Sequence, residues 1–327
     1  MTILVVGGAG YIGSVTVEQL IAAGKTVVVL DNLSRGHRPA VVPEAQFIHG
    51  DMADKNLLVQ ILREYDCSAV MHFSALSLVA ESMQKPLEYY RNNVKDSMTL
   101  VESMLECNVP QIIFSSSAAV YGEPESVPIL ENHPTRPTNP YGRTKLIFEQ
   151  FLQDCDRAYG LKYVSLRYFN ASGATDRLGE DHHPETHLIP LVLQVAAGQQ
   201  PCIQVFGDDY PTADGSCIRD YIHVRDLADA HLLALDHLER TKQSSTYNLG
   251  NGNGFSVLEV IRIAEQVTGK KISTTISSRR PGDPAVLVAS AKRISEELGW
   301  KPGCPALPEI IESAWKWLLA HPRGYQE

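Results

Sequence analysis

Apolar residues in the first half of this chain fall into short runs separated by stretches of helical periodicity. Ile3 to Val6 is one run, and Thr26 to Leu30 is the next. Between them Ile12, Val15, Val17, Leu20 and Ile21 recur as on one helix face. Further runs follow at Ala69 to Phe73, Gln111 to Ser115 and Tyr163 to Arg167. Buried runs alternating with amphipathic helices predict an α/β fold, a parallel, doubly wound sheet. Past residue 170 the periodicity becomes irregular, with Gly- and Pro-bearing stretches at Gly207 to Gly215 and Pro281 to Pro284. We therefore expect a first domain over residues 1–170 and a smaller C-terminal substrate domain over 171–327. Ile222 to Leu238 reads as a helix and Thr246 to Leu249 as a strand, so residues 222–252 are expected to return to the first sheet. Five prolines between Glu123 and Pro140 break any regular element there and predict a loop above the strand ends, where such folds carry function.

The first run leads into Gly7-Gly8-Ala9-Gly10-Tyr11-Ile12-Gly13, and the second ends on Asp31. Strand, glycine turn, helix, strand and acid, in that order, are the parts of a Rossmann-type dinucleotide site. The glycines allow a tight turn and close approach of backbone to a pyrophosphate, and the helix N-terminus offers free N–H groups to the anion. Asp31 is placed to accept hydrogen bonds from an adenosine ribose.

Composition narrows the partners. The 327 residues are 44% hydrophobic and 20% charged, with a formal net charge of −9 and no run of like charges, so neither nucleic acid nor an anionic membrane surface is expected to bind. No apolar run approaches the roughly 20 residues of a membrane span. The N-terminal run passes straight into the glycine turn with no basic segment before it, and reads as a strand, not a signal peptide. Cys67, Cys107, Cys155, Cys202, Cys217 and Cys304 lie far apart without a C-x-x-C, as expected of reduced thiols in a cytoplasmic protein.

Asn139-Pro140-Tyr141-Gly142-Arg143-Thr144-Lys145 places a capping Asn and a proline at the start of a helix, with Tyr141 and Lys145 on one face. A phenol ionises near pH 10, roughly three units too high for a base at neutral pH. A lysine beside it and a nicotinamide cation are the expected sources of a downward shift.

Several long segments recur in the order found in the extended short-chain dehydrogenase/reductase family, and the chain resembles the sugar-nucleotide epimerases of that family over essentially its whole length. The segments are the glycine turn through Ser14, Asp31-Asn32-Leu33, Lys85 to Asn93, Ser115 to Gly122, Arg167-Tyr168-Phe169-Asn170, and Asp208 to Thr212 leading to Arg219 to Val224. The resemblance implies NAD as cofactor, a UDP-hexose as substrate, inversion at C4 through a transient 4-keto sugar, and a homodimer paired through helices at Leu87 to Cys107 and Leu146 to Ala158. Related dehydratases carry Thr-Asp-Glu before Val-Tyr-Gly. Here Ser117, Ala118 and Ala119 stand in those places, so elimination lacks its acid–base pair while a hydroxyl remains for the sugar oxygen.

The same resemblance assigns roles. Tyr141, Lys145 and Ser117 are the catalytic candidates. Gly7, Gly10, Tyr11, Ile12, Gly13, Asp31, Asn32, Asp51, Met52, Phe73, Ser74, Ala75, Asn92, Tyr141, Lys145 and Tyr168 fall on the cofactor side. Ser117, Tyr141, Asn170, His187, Leu188, Phe206, Arg219, Tyr221, Arg280, Asp283 and Leu287 fall on the substrate side. Arg219 and Arg280 are the expected phosphate ligands, and Leu287, where some epimerases have a tyrosine, is expected to admit a 2-N-acetyl group as well as a hydroxyl. Two positions depart from relatives: Ser77, where some have Lys, and His187, where some have Asn. His182, His183 and His187 lie on an irregular Pro-containing segment that shows no fourth metal ligand, so a solvated loop and no metal are expected there. Two other readings stay open: a related sugar-nucleotide oxidoreductase, which would consume free NAD, and a non-catalytic nucleotide sensor, which would lack the catalytic tyrosine.

Overall fold

The computed structural model describes residues 1–280 and 283–326. Its first layer is built, in chain order, from β1 (Thr2–Val6), α1 (Tyr11–Ala22), β2 (Thr26–Asp31), β3 (Gln46–His49), α2 (Lys55–Glu64), β4 (Cys67–His72), α3 (Val79–Gln84), α4 (Pro86–Tyr90), α5 (Ser97–Glu106), β5 (Gln111–Ser117), α6 (Pro140–Tyr159) and β6 (Lys162–Tyr168). The chain continues through β7 (Asn170–Ser172), α7 (Leu188–Ala196), β8 (Ile203–Phe206), β9 (Ile218–His223), α8 (Val224–Thr241), β10 (Ser245–Leu249), β11 (Gly254–Ser256), α9 (Val257–Thr268), β12 (Thr274–Ser277), β13 (Val286–Leu287), α10 (Lys292–Leu298) and α11 (Leu307–Ala320).

Seven strands pair in parallel in the order β10-β6-β5-β4-β1-β2-β3. Alternate residues of each strand feed opposite faces. Ile3, Val5, Val29 and Met71 pack against α1 and α8 through Val17, Leu20, Leu227 and Ala234. Leu4, Val6, Val28 and Leu30 pack against α2, α5 and α6 through Leu58, Leu100, Val101, Phe148 and Leu152. Both faces are dry, which is why these strands read as continuous apolar runs. Strand order reverses between β1 and β4, so a crevice opens above the carboxyl ends of these two strands, the usual ligand position in open α/β sheets.

Two details differ from the sequence reading. Strand β3 carries no buried run, because its residues are half-buried or exposed at the sheet edge, and periodicity does not reveal it. The helix read from Ile222 begins at Val224: Ile222 and His223 belong to β9, and His223 Nδ1 caps the helix by accepting from Arg225 N–H at 3.0 Å. Strand β9 therefore runs directly into α8, which packs on α1, and β10 pairs with β6 over Ser245 to Leu249.

The remaining elements form a smaller lobe in which α7, α9 and α11 share a core of Ile189, Val192, Val260, Ile261, Ile310 and Ile311. Strand β9 pairs with β7, β11 and β13, and β8 pairs with β12. Because β9 is fused to α8, the lobe's central strand is fixed relative to the large sheet.

Candidate active site

The glycine turn is shaped by backbone crowding. Gly7 has φ of 83°, and a Cβ there would lie 2.5 Å from Ser74 N. A Cβ at Gly13 would lie 2.3 Å from the Gly7 carbonyl oxygen, so the start of α1 rests directly on the turn. A Cβ at Gly10 would meet nothing closer than that same oxygen at 3.4 Å. Gly10 precedes α1 without a side-chain cap, and no acidic residue occupies the first turn, where Tyr11 and Ile12 are half-buried. Open backbone N–H groups at an uncapped helix N-terminus fit a pyrophosphate.

Asp31 ends β2 with both carboxylate oxygens engaged: Ala9 N–H donates at 2.9 Å and Leu33 N–H at 2.9 Å. Burial raises its pKa, and these two bonds oppose the rise. The acid thus clamps the glycine turn while keeping lone pairs for a ribose. Beside it Asn32 Nδ2 donates to Asp51 Oδ2 at 2.8 Å, with Met52 buried below. Arg35, a cation close downstream of Asp31, bonds Glu81 and the His183 carbonyl. Arg38 lies over the Phe47 ring.

At the end of β4, Phe73 and Ser74 both donate from backbone N–H to the Val6 carbonyl, at 2.8 and 3.1 Å, with Ala75 half-buried beyond them. Leu76 N–H is shared between the side-chain oxygens of Asn92 and Asn93, because residues 91–96 widen into a π-helical turn. The buried Asn93 also donates to the Leu76 carbonyl and to Thr144 Oγ1, tying this loop to α6. Asn93 and Thr144 escape the sequence reading, which singles out Asn92; only the doubled Asn hints at them.

Asn139 Oδ1 accepts from Gly142 N–H at 2.8 Å and starts α6, as its Asn-Pro sequence predicts. Tyr141 and Lys145 then face β5. The Lys145 ammonium is buried, donates to the Ser115 carbonyl at 2.7 Å and lies 5.9 Å from the Tyr141 ring centre. Burial lowers its pKa to about 7, with Glu149 pulling the other way. One acceptor leaves a buried ammonium with two unused donors, a need that ribose hydroxyls would meet. Tyr141 is raised by burial and lowered by hydrogen bonding with Ser117. In the nucleotide-free chain the Lys145 ammonium is directed at a carbonyl, and burial sets the Tyr141 hydroxyl high. Ser117 ends β5, and its Oγ accepts from Ala119 N–H at 3.2 Å. Tyr168 is buried in β6, and its hydroxyl sits 2.5 Å from His231 Nε2, so it presents packing surface and not a free hydroxyl.

Behind the tyrosine and lysine is a buried network that no sequence signal singles out beyond the i, i+4, i+8 spacing of Tyr141, Lys145 and Glu149. Glu149 takes two bonds from Arg167, at 3.0 and 2.6 Å, and one from Ser116 at 2.5 Å. Arg167 also donates to the Tyr121 hydroxyl at 2.8 Å.

On the lobe side, Asn170 Nδ2 donates to the Asp220 carbonyl at 2.9 Å and Tyr221 is buried. Arg219 Nη2 donates to Asp283, while Arg280 lies 3.9 Å above the Phe206 ring. Leu287 is in register with Arg219 and packs against the cluster of Val120, Tyr121 and Ile129 just past Ser117. His187 precedes α7, with Leu188 as the first helical residue.

The histidine segment is irregular and exposed at His183, Pro184 and Thr186, as expected of a solvated loop, but it does hold a fourth candidate ligand. Glu180, His182, Glu185 and His187 converge so that one nitrogen or oxygen of each lies within 4.8 Å of the others, and only His183 points away. Burial disfavours charge on both rings, yet the carboxylates hold His182 at about 9 and His187 well above its ordinary value. What periodicity does not show is the chain path, which brings residues two to seven apart together.

This fold is that of a dinucleotide-binding protein, and a tyrosine, a lysine and a serine are grouped where β5 ends and α6 begins, beside the crevice. Comparison with known proteins is consistent throughout. Residues 3–250 match the model of the NAD dependent epimerase/dehydratase family. The chain is 56% identical to a UDP-glucose 4-epimerase of Halalkalibacterium halodurans, over 99% of this chain and 98% of that one. A solved UDP-glucose 4-epimerase superposes with a TM-score of 0.98 at 51% identity, covering 100% of both chains. Another, from Bifidobacterium longum in complex with NAD+ and UDP, superposes with a TM-score of 0.95 at 41% identity, covering 99% and 100%. The chain belongs to the NAD dependent epimerase/dehydratase family, within the extended short-chain dehydrogenases/reductases. Among the described residues no helix is long and apolar enough to cross a membrane.

Proposed function

We propose that this chain interconverts UDP-glucose and UDP-galactose by inverting C4, with NAD held in the crevice. The observation that carries this reading is the pairing of an intact Tyr141, Lys145 and Ser117 with alanines at 118 and 119. Proton transfer at a hydroxyl is provided for, whereas elimination is not.

NAD, when bound, supplies the acceptor and later the donor of the C4 hydride. The glycine turn and α1 hold its pyrophosphate, Asp31 the adenosine ribose, and Lys145 the nicotinamide ribose. Tyr141 takes the 4-OH proton as base and returns it on the other face, with Ser117 bonding the same sugar oxygen. Burial keeps the free phenol protonated, so positive charge brought by the cofactor is what Tyr141 needs to become a base. Arg219 and Arg280 hold the diphosphate, Arg219 exchanging Asp283 for phosphate. Asn170, His187, Leu188, Phe206 and Tyr221 line the uridine side. The small Ala118 and Ala119 leave room for the 4-keto sugar to turn about its diphosphate. In this arrangement residues 1–170 with 222–252 serve NAD, and the rest of 171–327 serves the UDP-sugar.

Leu287 stands beside Ser117's turn and Arg219, and its size supports use of the N-acetylamino sugars as well. Exposed Met98 on α5 and Ile147 on α6 lie on helices of one sheet face and support a homodimer through them. Six free thiols support a reducing, cytoplasmic setting.

The test is to incubate purified protein with UDP-galactose without added NAD. UDP-glucose should accumulate to equilibrium with no net change in nicotinamide absorbance. Turnover that depends on stoichiometric NAD consumption would instead assign a dehydrogenase.

A further inference from the structure

The cluster at Glu180, His182, Glu185 and His187 plays no part in the proton transfer proposed above, although its His187 also borders the uridine side. His187 Nδ1 lies 2.7 Å from Glu180 Oε1 and 3.1 Å from Glu185 Oε1; His182 Nδ1 lies 3.2 Å from Glu180 Oε1 and 3.7 Å from Glu185 Oε2. A tetrahedral ion with ligands at about 2.0–2.2 Å needs donor atoms roughly 3.3–3.6 Å apart; the four distances, which draw on both oxygens of Glu185, fall on either side of that spacing, and one donor atom from each residue lies within 4.8 Å of the others. The carboxylates are sequestered, with side-chain exposure of 7% each. The nitrogen of His182 is directed into the same cluster: Nδ1 is buried and faces Glu180 Oε1 at 3.2 Å without the alignment of a good hydrogen bond.

We propose that Glu180, His182, Glu185 and His187 form a four-coordinate site, open to solvent on the His187 side, for one divalent transition-metal ion of the Zn2+ class. Two imidazole nitrogens and two carboxylate oxygens suit a borderline-soft ion better than Ca2+ or Mg2+, which take six or more oxygens or keep their water. The charges match, since one dication neutralises the two carboxylates. With all four positions filled by protein, the ion has no place for substrate and is structural. Its position tells what it joins. His182 packs edge-on to Tyr11 of the glycine turn at 6.3 Å between ring centres, and His187 immediately precedes α7. The ion would fasten the start of the lobe's first helix to the nucleotide turn.

The test uses the full chain with its nucleotide retained, stripped with chelator and then titrated with Zn2+ alone or Co2+ alone. The expected result is one ion per chain, a Co2+ spectrum with the intense visible bands of tetrahedral coordination, and a Zn2+-dependent rise in Tm. His182→Gln and Glu180→Gln should each weaken binding by at least about 100-fold, the upper end of what losing even an outer-shell partner costs. His183→Gln, with its ring 80% exposed and outside the cluster, should bind as the unaltered chain does. If a cluster variant fails to fold, the Co2+ spectrum of the unaltered protein still decides. Absence of stoichiometric uptake, an octahedral spectrum, or equal binding in the folded cluster variants would overturn the proposal.

Discussion

Gly142 and Ala119 are in backbone contact: a Cβ on Gly142 would lie 2.4 Å from the Ala119 carbonyl oxygen. This contact seats the first turn of α6 on the turn that follows Ser117, and so sets the distance between the Tyr141 phenol and the Ser117 hydroxyl. Gly142→Ala must push the two apart. A displacement near 1 Å costs about 100-fold in rate, so kcat should fall by about that factor while bound nucleotide is retained. An unchanged kcat would show that the contact does not position the tyrosine.

Tyr141→Phe removes the proton acceptor and little packing. Epimerisation should drop by about 10²–10⁴-fold, the usual contribution of a positioned acid–base group. Nucleotide content, read from absorbance of the denatured protein, should stay the same.

Lys145 makes stability depend on pH in a defined direction. Its pKa in the nucleotide-free fold is lowered to about 7 from an ordinary value near 10.5, so between those values the unfolded chain binds more protons and stability rises with pH. Below about pH 7 the full cost of burying the charge is present, on the order of 5 kcal/mol. Lys145→Met should therefore stabilise the nucleotide-free protein most at pH 6 and progressively less towards pH 10, by urea unfolding. The same variant should be inactive. A stability difference independent of pH would refute the assignment.

Cofactor choice should favour NAD over NADP. Asp31 repels a 2′-phosphate, and Arg35 is already held by Glu81 and the His183 carbonyl. Titrating nucleotide-free protein with both should show NAD binding more tightly, and Asp31→Ala should weaken NAD while loosening the glycine turn it clamps.

Substrate width rests on Leu287. Leu287→Tyr should lower kcat/KM for UDP-N-acetylglucosamine at least about tenfold, more than the loss of one hydrophobic contact accounts for, and should spare UDP-galactose. Equal changes for both substrates would reduce Leu287 to a core residue of its cluster.

The nucleotide half of the site is legible in the sequence because its requirements are local. Gly7, Gly13 and Asp31 answer to one βαβ unit, and Asn139 to Lys145 to one helical turn and its cap. What is not legible depends on chain path. Strand β3 has no buried face to betray it. Asn93 outranks Asn92 only because a π-helical turn rotates both toward Leu76. The direction of the Lys145 ammonium is decided by a carbonyl thirty residues away in sequence, and the meeting of Glu180 with His187 by a turn that no periodicity encodes.

The return of α8 and β10 to the large sheet has a consequence for how the molecule is completed. Until residue 249 is available, β6 is the open edge of a parallel sheet, with its backbone donors and acceptors unpaired. An emerging chain, or a fragment cut in the lobe, exposes that edge together with the apolar surface of α1 that α8 covers, the combination that promotes association between strands of different molecules. A division of the gene at residue 170 would therefore yield two pieces neither of which is self-sufficient. A fragment ending near residue 252 is the shortest N-terminal piece in which every strand of the large sheet has its neighbours.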